Sequence, residues 1–214
     1  MDKITKQMKT WDGEFGKEYT TRNALSMNDM EALYNEQYGY TRTEMNSEFI
    51  GAFDRDMKIL EVGSNIGNQL LCLQKMGFNN LYGIELQTYA VELSKSRTEH
   101  INIIKGSAFD IPYKEGYFDL VFTSGVLIHI DPSDINMVIQ EIYRCAKKYI
   151  WGFEYYADKY TEVLYREHKN ILWKTDFAKL YDEQFSHLNL VKEKRFKYLN
   201  SDNVDSMFLF KKEV

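Results

Sequence analysis

Met57-Lys-Ile-Leu-Glu-Val-Gly-Ser-Asn-Ile-Gly67 is the stretch that governs the architecture. Its apolar run at 57–62 reads as a buried strand, and 63–67 reads as a tight turn. A helical pattern follows over 68–76 and stops at Gly77, the residue type that most readily ends a helix. The same alternation continues outward. Strands are expected at 81–86, 101–105, 117–123 and 149–153. Helices are expected at 88–97 and from Asp131-Pro132-Ser133 to Ala146. Strands alternating with helices imply a parallel sheet, and right-handed crossovers make it doubly wound. The tail predicts a helix over 174–182 and an antiparallel hairpin of strands 188–196 and 206–211 at one sheet edge. The expectation is an α/β fold with a mostly parallel, seven-stranded sheet. Ligands in such folds sit beyond the carboxyl ends of the strands. The turns at 63–67, 85–87, 106–112 and 124–130 all follow strands and should converge there.

Residues 1–55 differ in texture, being polar and rich in tyrosine. Leu33, Tyr34, Gln37 and Tyr38 share one helical face, as do Met45, Phe49, Ile50 and Phe53. They predict a helical N-terminal extension or lid ahead of the domain at 56–214. The 214 residues suit one domain with such an extension. Thirty-two acidic against 27 basic residues leave a net charge of −5, which speaks against a nucleic-acid partner. No apolar run is long enough for a membrane span, and the N-terminus lacks a signal core. Cys72 and Cys145 lie far apart in apolar helical contexts and read as reduced core thiols, so a cytoplasmic protein is expected. The histidines and cysteines show no metal-ligand spacing, and no metal site is expected.

The glycine turn selects among nucleotides. A dinucleotide fingerprint places glycines where Asn65 and Asn68 stand, and a phosphate-cradling G-K-[ST] loop is missing. A nicotinamide oxidoreductase is therefore a distant alternative. Glu61-Val-Gly63-Ser-Asn65-Ile-Gly67 instead resembles the E/D-x-G-x-G-x-G signature of class I S-adenosylmethionine-dependent methyltransferases, with Asn65 replacing one glycine. Asparagine is the side chain that best tolerates positive φ, so the turn survives. Glu85 ends the second strand and can accept hydrogen bonds from both ribose hydroxyls. Gly106-Ser-Ala-Phe-Asp-Ile-Pro112 resembles the family's G-D-A-x-x-L-P segment, with Ser107 in place of the aspartate and Asp110 nearby. Phe118-Asp-Leu-Val-Phe-Thr-Ser-Gly-Val-Leu-Ile-His-Ile130 resembles its fourth-strand motif.

The resemblance implies a Rossmann-like fold, S-adenosylmethionine as cofactor and S-adenosylhomocysteine as product. It implies cofactor contacts from Glu61, Gly63, Ser64, Asn65, Gly67, Asn68, Glu85, Leu86, Ser107, Ala108, Phe109, Ser124 and Gly125. Arg22 is the candidate for the methionine carboxylate, because a guanidinium binds a carboxylate bidentately.

The flanks are similar to the pseudaminic acid biosynthesis-associated methylases. The similarity runs through Trp11-Asp-Gly-Glu-Phe-Gly16 with Tyr19, Arg22 and Asn23, then Tyr40-Thr-Arg-Thr-Glu-Met-Asn46, Tyr165-Arg-Glu-His168 and Leu172-Trp-Lys-Thr-Asp-Phe177. It implies a small-molecule acceptor, an amino, amidino or hydroxyl group of a nonulosonic-type bacterial sugar or its nucleotide. His129, following the fourth strand, is a candidate general base, since an imidazole with pKa near 6.5 suits that task. His168 and Glu154 are further catalytic candidates. Tyr155, Tyr156, Tyr165 and Arg166 are candidates for substrate contact. Trp11, Phe15 and Trp173 suit either a lid or plain core, and His100 and His187 read as structural. The alternatives are a methyltransferase acting on tRNA or protein, and a noncatalytic S-adenosylmethionine-binding scaffold.

Overall fold

The computed structural model describes residues 3–213. Four helices open the chain: α1 (Lys6–Asp12), α2 (Glu14–Arg22), α3 (Met27–Tyr38) and α4 (Arg42–Ile50). Local capping explains their boundaries. Ser26 Oγ accepts from Asp29 N at 3.2 Å to start α3, and Gly39, with φ 75°, ends it. Thr41 and Glu44 form a reciprocal capping box on α4. Thr41 Oγ1 accepts from Glu44 N at 3.2 Å, and the Glu44 carboxylate accepts from Thr41 N at 2.8 Å. Thr41→Ala is expected to cost about 1 kcal/mol of stability, read as a lower urea midpoint with unchanged slope.

The alternating part follows: β1 (Lys58–Val62), α5 (Asn68–Lys75), β2 (Asn80–Glu85), α6 (Thr88–Lys95), β3 (Ile101–Lys105), β4 (Phe118–Ser124), α7 (Ile135–Cys145) and β5 (Ala146–Tyr155). A short pair, β6 (Thr161–Glu162) and β7 (Trp173–Lys174), precedes α8 (Phe177–Gln184), β8 (Leu188–Lys197) and β9 (Val204–Lys212). The seven-stranded sheet has the order β3-β2-β1-β4-β5-β9-β8. Strands β1 to β5 pair in parallel, and β9 pairs antiparallel with both β5 and β8. This is the expected Rossmann-like architecture with its C-terminal hairpin at one edge.

Two details differ from expectation. Strand β5 starts at Ala146, directly after α7, and runs three residues earlier than its apolar pattern suggested. Exposed Lys147 and Lys148 mask its beginning in the sequence. Pairing with β4 on one side and β9 on the other extends it. Helix α8 starts at Phe177 rather than 174, because Asp176 caps it by accepting from Lys179 N at 3.0 Å, while 173–174 pairs with 161–162.

Helices cover both sheet faces, as parallel strands require. One core joins the sheet to α7 and α8 through Val138, Ile139, Ile142, Phe177 and Tyr181. The other joins it to α3, α4, α5 and α6 through Tyr38, Met45, Phe49, Leu70 and Val91. So α3 and α4 are packed into the core, and α1, α2 and the Met30–Tyr34 part of α3 stand over the carboxyl edge of the strands. Gly152 in β5 faces Phe208 in β9, and a Cβ there would lie 2.1 Å from the Phe208 ring. The ring occupies that space, so the sheet is packed there only with glycine. Cys72 and Cys145 are buried and free. No helix among the described residues is long and apolar enough to cross a membrane.

Candidate active site

The strand order reverses between β1 and β4, and a cavity of about 300 Å³ opens there beyond the strand ends. Its floor starts with the turn after β1. Gly63 and Ser64 N–H groups both donate to the Ile84 carbonyl, at 2.9 and 3.0 Å, which ties this turn to β2. Gly63 has φ 73°, and a Cβ there would meet Val126 Cγ2 at 2.6 Å, so both conformation and space demand glycine. Asn65 takes φ 47°. Its Oδ1 accepts from Ile66 N at 2.8 Å, a local bond that supports the left-handed conformation.

Two carboxyl groups face the cavity from adjacent strands. Glu85 accepts from Asn65 N at 2.9 Å and from Gln87 N at 2.8 Å. Burial raises its carboxyl above the usual carboxylate range, and those backbone bonds oppose the rise. Glu61 is 2% exposed, and its Oε2 has no partner. Burial pushes it well up, the Arg42 guanidinium pulls it down, and Glu85 pushes it up further.

Helices α1 to α3 form the roof, with Trp11, Tyr19, Thr20, Met30 and Tyr34 lining the cavity. The Trp11 ring lies 4.2 Å from that of His129 and 5.2 Å from that of Tyr19. His129 sits on a 3₁₀ turn, Leu127–His129, after β4. Its Nδ1 is 2.8 Å from the Ile171 carbonyl. A carbonyl only accepts, so Nδ1 carries the proton and Nε2 is left with its lone pair. Burial pushes the imidazole down to about 4, which keeps it neutral at physiological pH.

Most residues singled out from the sequence meet at this cavity: Glu61, Gly63, Ser64, Asn65, Asn68, Glu85, Leu86, Ser107, Ala108, Phe109, Ser124, Gly125 and His129. Others sit elsewhere. Gly67 is buried behind the turn, with φ 85° at the start of α5. Arg22 is exposed at the end of α2, 3.9 Å from Glu18, because helical phase turns it outward. Glu154 is buried under the 3₁₀ turn rather than facing the cavity. Its Oε1 accepts from Val126 N at 3.2 Å, and its carboxyl is pushed up to about 7. Tyr155 is packed against the core, and burial pushes its phenol up to about 12. Tyr156 lies at the surface under Arg195, 3.6 Å from its ring. Tyr165, Arg166 and His168 belong to a loop outside the roof. His168 is exposed, with its ring 4.9 Å from that of Phe15, while the Tyr165 ring lies 6.3 Å from His129. His100 and His187 are exposed and lie outside the cavity. Trp173 is core, at 6% exposure.

Thr20, Gln87 and Arg42 carry weight that the sequence did not advertise. Gln87 is two residues beyond Glu85, and that proximity is the one available signal. Arg42 is fully buried, 4.4 Å over the Phe153 ring and bonded to Ser124 Oγ at 3.3 Å.

Residues 60–149 match the methyltransferase domain family. That stretch runs from β1 into β5 and contains the strand-end turns that build the cavity floor. The chain is an S-adenosylmethionine-dependent methyltransferase. The methyltransferase is 24% identical over 179 residues to the phosphoethanolamine N-methyltransferase of Plasmodium falciparum, covering 73% of this chain and 67% of that one. It is 27% identical over 96 residues to an uncharacterized methyltransferase of Synechocystis, covering 45% of each. Among solved structures it superposes on the 1,6-didemethyltoxoflavin-N1-methyltransferase of Burkholderia thailandensis, with TM-score 0.72, 12% identity and coverage of 100% and 93%. It also superposes on the magnesium protoporphyrin IX methyltransferase of Synechocystis, with TM-score 0.69, 10% identity and full coverage of both chains. The residues present suit the cofactor of such an enzyme. The Glu61 carboxyl belongs to the cavity wall, its Oε2 has no partner among the described residues, and a bound ammonium group would supply one, while the glycine at 63 leaves the backbone open to close approach.

Proposed function

We propose that this methyltransferase acts on a small molecule, at an amino, amidino or hydroxyl group of a nonulosonic-type bacterial sugar. The observation that carries a small acceptor is the roofed cavity itself, with the Nε2 side of a neutral His129 beside it. The named relatives support it, since phosphoethanolamine, 1,6-didemethyltoxoflavin and magnesium protoporphyrin in their names are small molecules. The sugar rests on the similarity of the flanking segments to the pseudaminic acid-associated methylases. The wall favours the free sugar over its nucleotide. Glu61, Glu85 and Asp131 line the cavity, and among the described residues no Lys or Arg does. A diphosphate or an RNA backbone would meet no cation there. The buried free thiols suit a reducing compartment such as the cytoplasm.

When bound, S-adenosylmethionine supplies a methyl group on a sulfonium. Glu85 would accept from the ribose hydroxyls, and the Glu61 carboxylate from the ammonium of the methionine moiety. Residues 1–55 include the lid, of which α1 to α3 exclude water from the cavity. His129 receives the proton that the acceptor nitrogen or oxygen releases. Its depressed pKa leaves Nε2 free at neutral pH, and the Ile171 carbonyl fixes the ring.

The test is a panel of amino sugars, sugar nucleotides and tRNA, scored by S-adenosylhomocysteine formation. Turnover is expected with a free amino sugar of the nonulosonic type and not with its nucleotide. With that acceptor, His129→Asn is expected to lower kcat about a hundredfold while S-adenosylhomocysteine affinity stays unchanged. Turnover on tRNA alone would replace the sugar reading, and an unchanged kcat would remove His129 from proton transfer.

A further inference from the structure

We propose that Asn65, the residue standing where the methyltransferase motif has glycine, is a positioning residue that pins the roof over the cofactor. Asn65 Nδ2 donates to Thr20 Oγ1 in α2 at 3.0 Å. Thr20 is 1% exposed and donates in turn to Gln87 Oε1 at 3.1 Å. Gln87 Nε2 donates to the carbonyls of Trp11 at 2.9 Å and Gly13 at 3.3 Å, where α1 meets α2. One further bond, from Asn68 Nδ2 to the Asn23 carbonyl at 2.9 Å, holds the end of α2.

The same two residues serve Glu85. Its carboxylate accepts the backbone N–H groups of Asn65 and Gln87, while their side chains hold α1 and α2. Roof and ribose carboxylate therefore share their supports. A ligand that fixes Glu85 fixes Asn65 and Gln87, and through them the roof. Conversely, a roof that lifts must release Thr20 from both side chains. A glycine at position 65 would preserve the turn and the backbone donor to Glu85, but not this link. The substitution in the motif is thus used to couple cofactor retention to roof closure.

The inference rests on the reading of the cavity as the cofactor site, and one experiment separates the two. S-adenosylhomocysteine dissociation is measured by stopped-flow tryptophan fluorescence. Trypsin cleavage after Lys17 and Arg22 in α2, both exposed, is followed with and without the ligand. Wild type is expected to bind and to be protected in α2. Asn65→Gly, which tolerates φ 47° without strain, is expected to release the ligand about fivefold faster or more and to lose the protection. Thr20→Val removes the shared hydroxyl from the other side. It is expected to match, and the double variant to be no worse than either single one. Dissociation within twofold of wild type in both variants, with protection intact, would overturn the inference alone. Failure of folded wild type to bind would overturn the cofactor-site reading and the inference with it.

Discussion

Alanine at Glu85 is expected to weaken S-adenosylhomocysteine binding between about tenfold and a hundredfold, roughly 1.4–2.8 kcal/mol by calorimetric titration. The carboxylate is deeply placed and holds the turns after β1 and β2 together through Asn65 N and Gln87 N. Removing it leaves two N–H groups without their partner and, on the proposed placement of the cofactor, takes away the acceptors for two ribose hydroxyls. Glu85→Gln keeps one carbonyl acceptor and is expected to lose less. Because burial raises the carboxyl, wild-type affinity should fall as the pH drops into its titration range, since a protonated Glu85 loses acceptor capacity. The glutamine variant should lack that acid-side fall. Binding by the alanine variant within twofold of wild type would remove Glu85 from the cofactor site.

The second large effect is on stability. Glu154 is 1% exposed, and its carboxyl is pushed from 4.5 to about 7 by burial. A raised carboxyl means that the native state holds its proton more tightly than the unfolded chain. The associated stability is fully present below about pH 4.5 and is lost as pH rises through about 7. The interval corresponds to about 3 kcal/mol. His129 works the other way. It is held neutral, so it contributes stability above pH 6.5 that is lost as the pH falls toward 4. Comparison of variant with wild type isolates the glutamate. Glu154→Gln keeps an acceptor for the Val126 N–H and carries no charge. Its stability relative to wild type should rise by about 3 kcal/mol between pH 4.5 and pH 8 in urea unfolding. A difference that stays constant over this range would show that Glu154 does not titrate as the buried geometry requires.

The parallel sheet was legible because its strands are short apolar runs bounded by glycine and polar turns. The positions of Glu61, Gly63, Glu85, Ser107 and His129 follow from sitting just at or after strand ends, where topology leaves little freedom. Side-chain direction was less legible. Glu154 and Tyr155 are consecutive near the end of β5, yet neither lines the cavity. Glu154 turns under the Leu127–His129 turn, and Tyr155 packs into the core. Arg22 belongs to a helix whose roof-side face includes Tyr19 and Thr20, and its own phase points away. Nothing local in the sequence singles out Arg42, and only the packing of α4 against β4 and β5 buries it.

The sequence by itself determined the doubly wound fold and the strand edge at which the cavity opens, because these depend on local periodicity within single strand-turn units, and the resemblance of its motifs to a known family pointed to the chemical class. The tertiary structure decided which groups face the cavity, the tautomer of His129 and the linkage from Asn65 through Thr20 to the roof. Those depend on contacts between residues 42 to 67 positions apart. Such contacts exist only after the two cores have set the helices against the sheet.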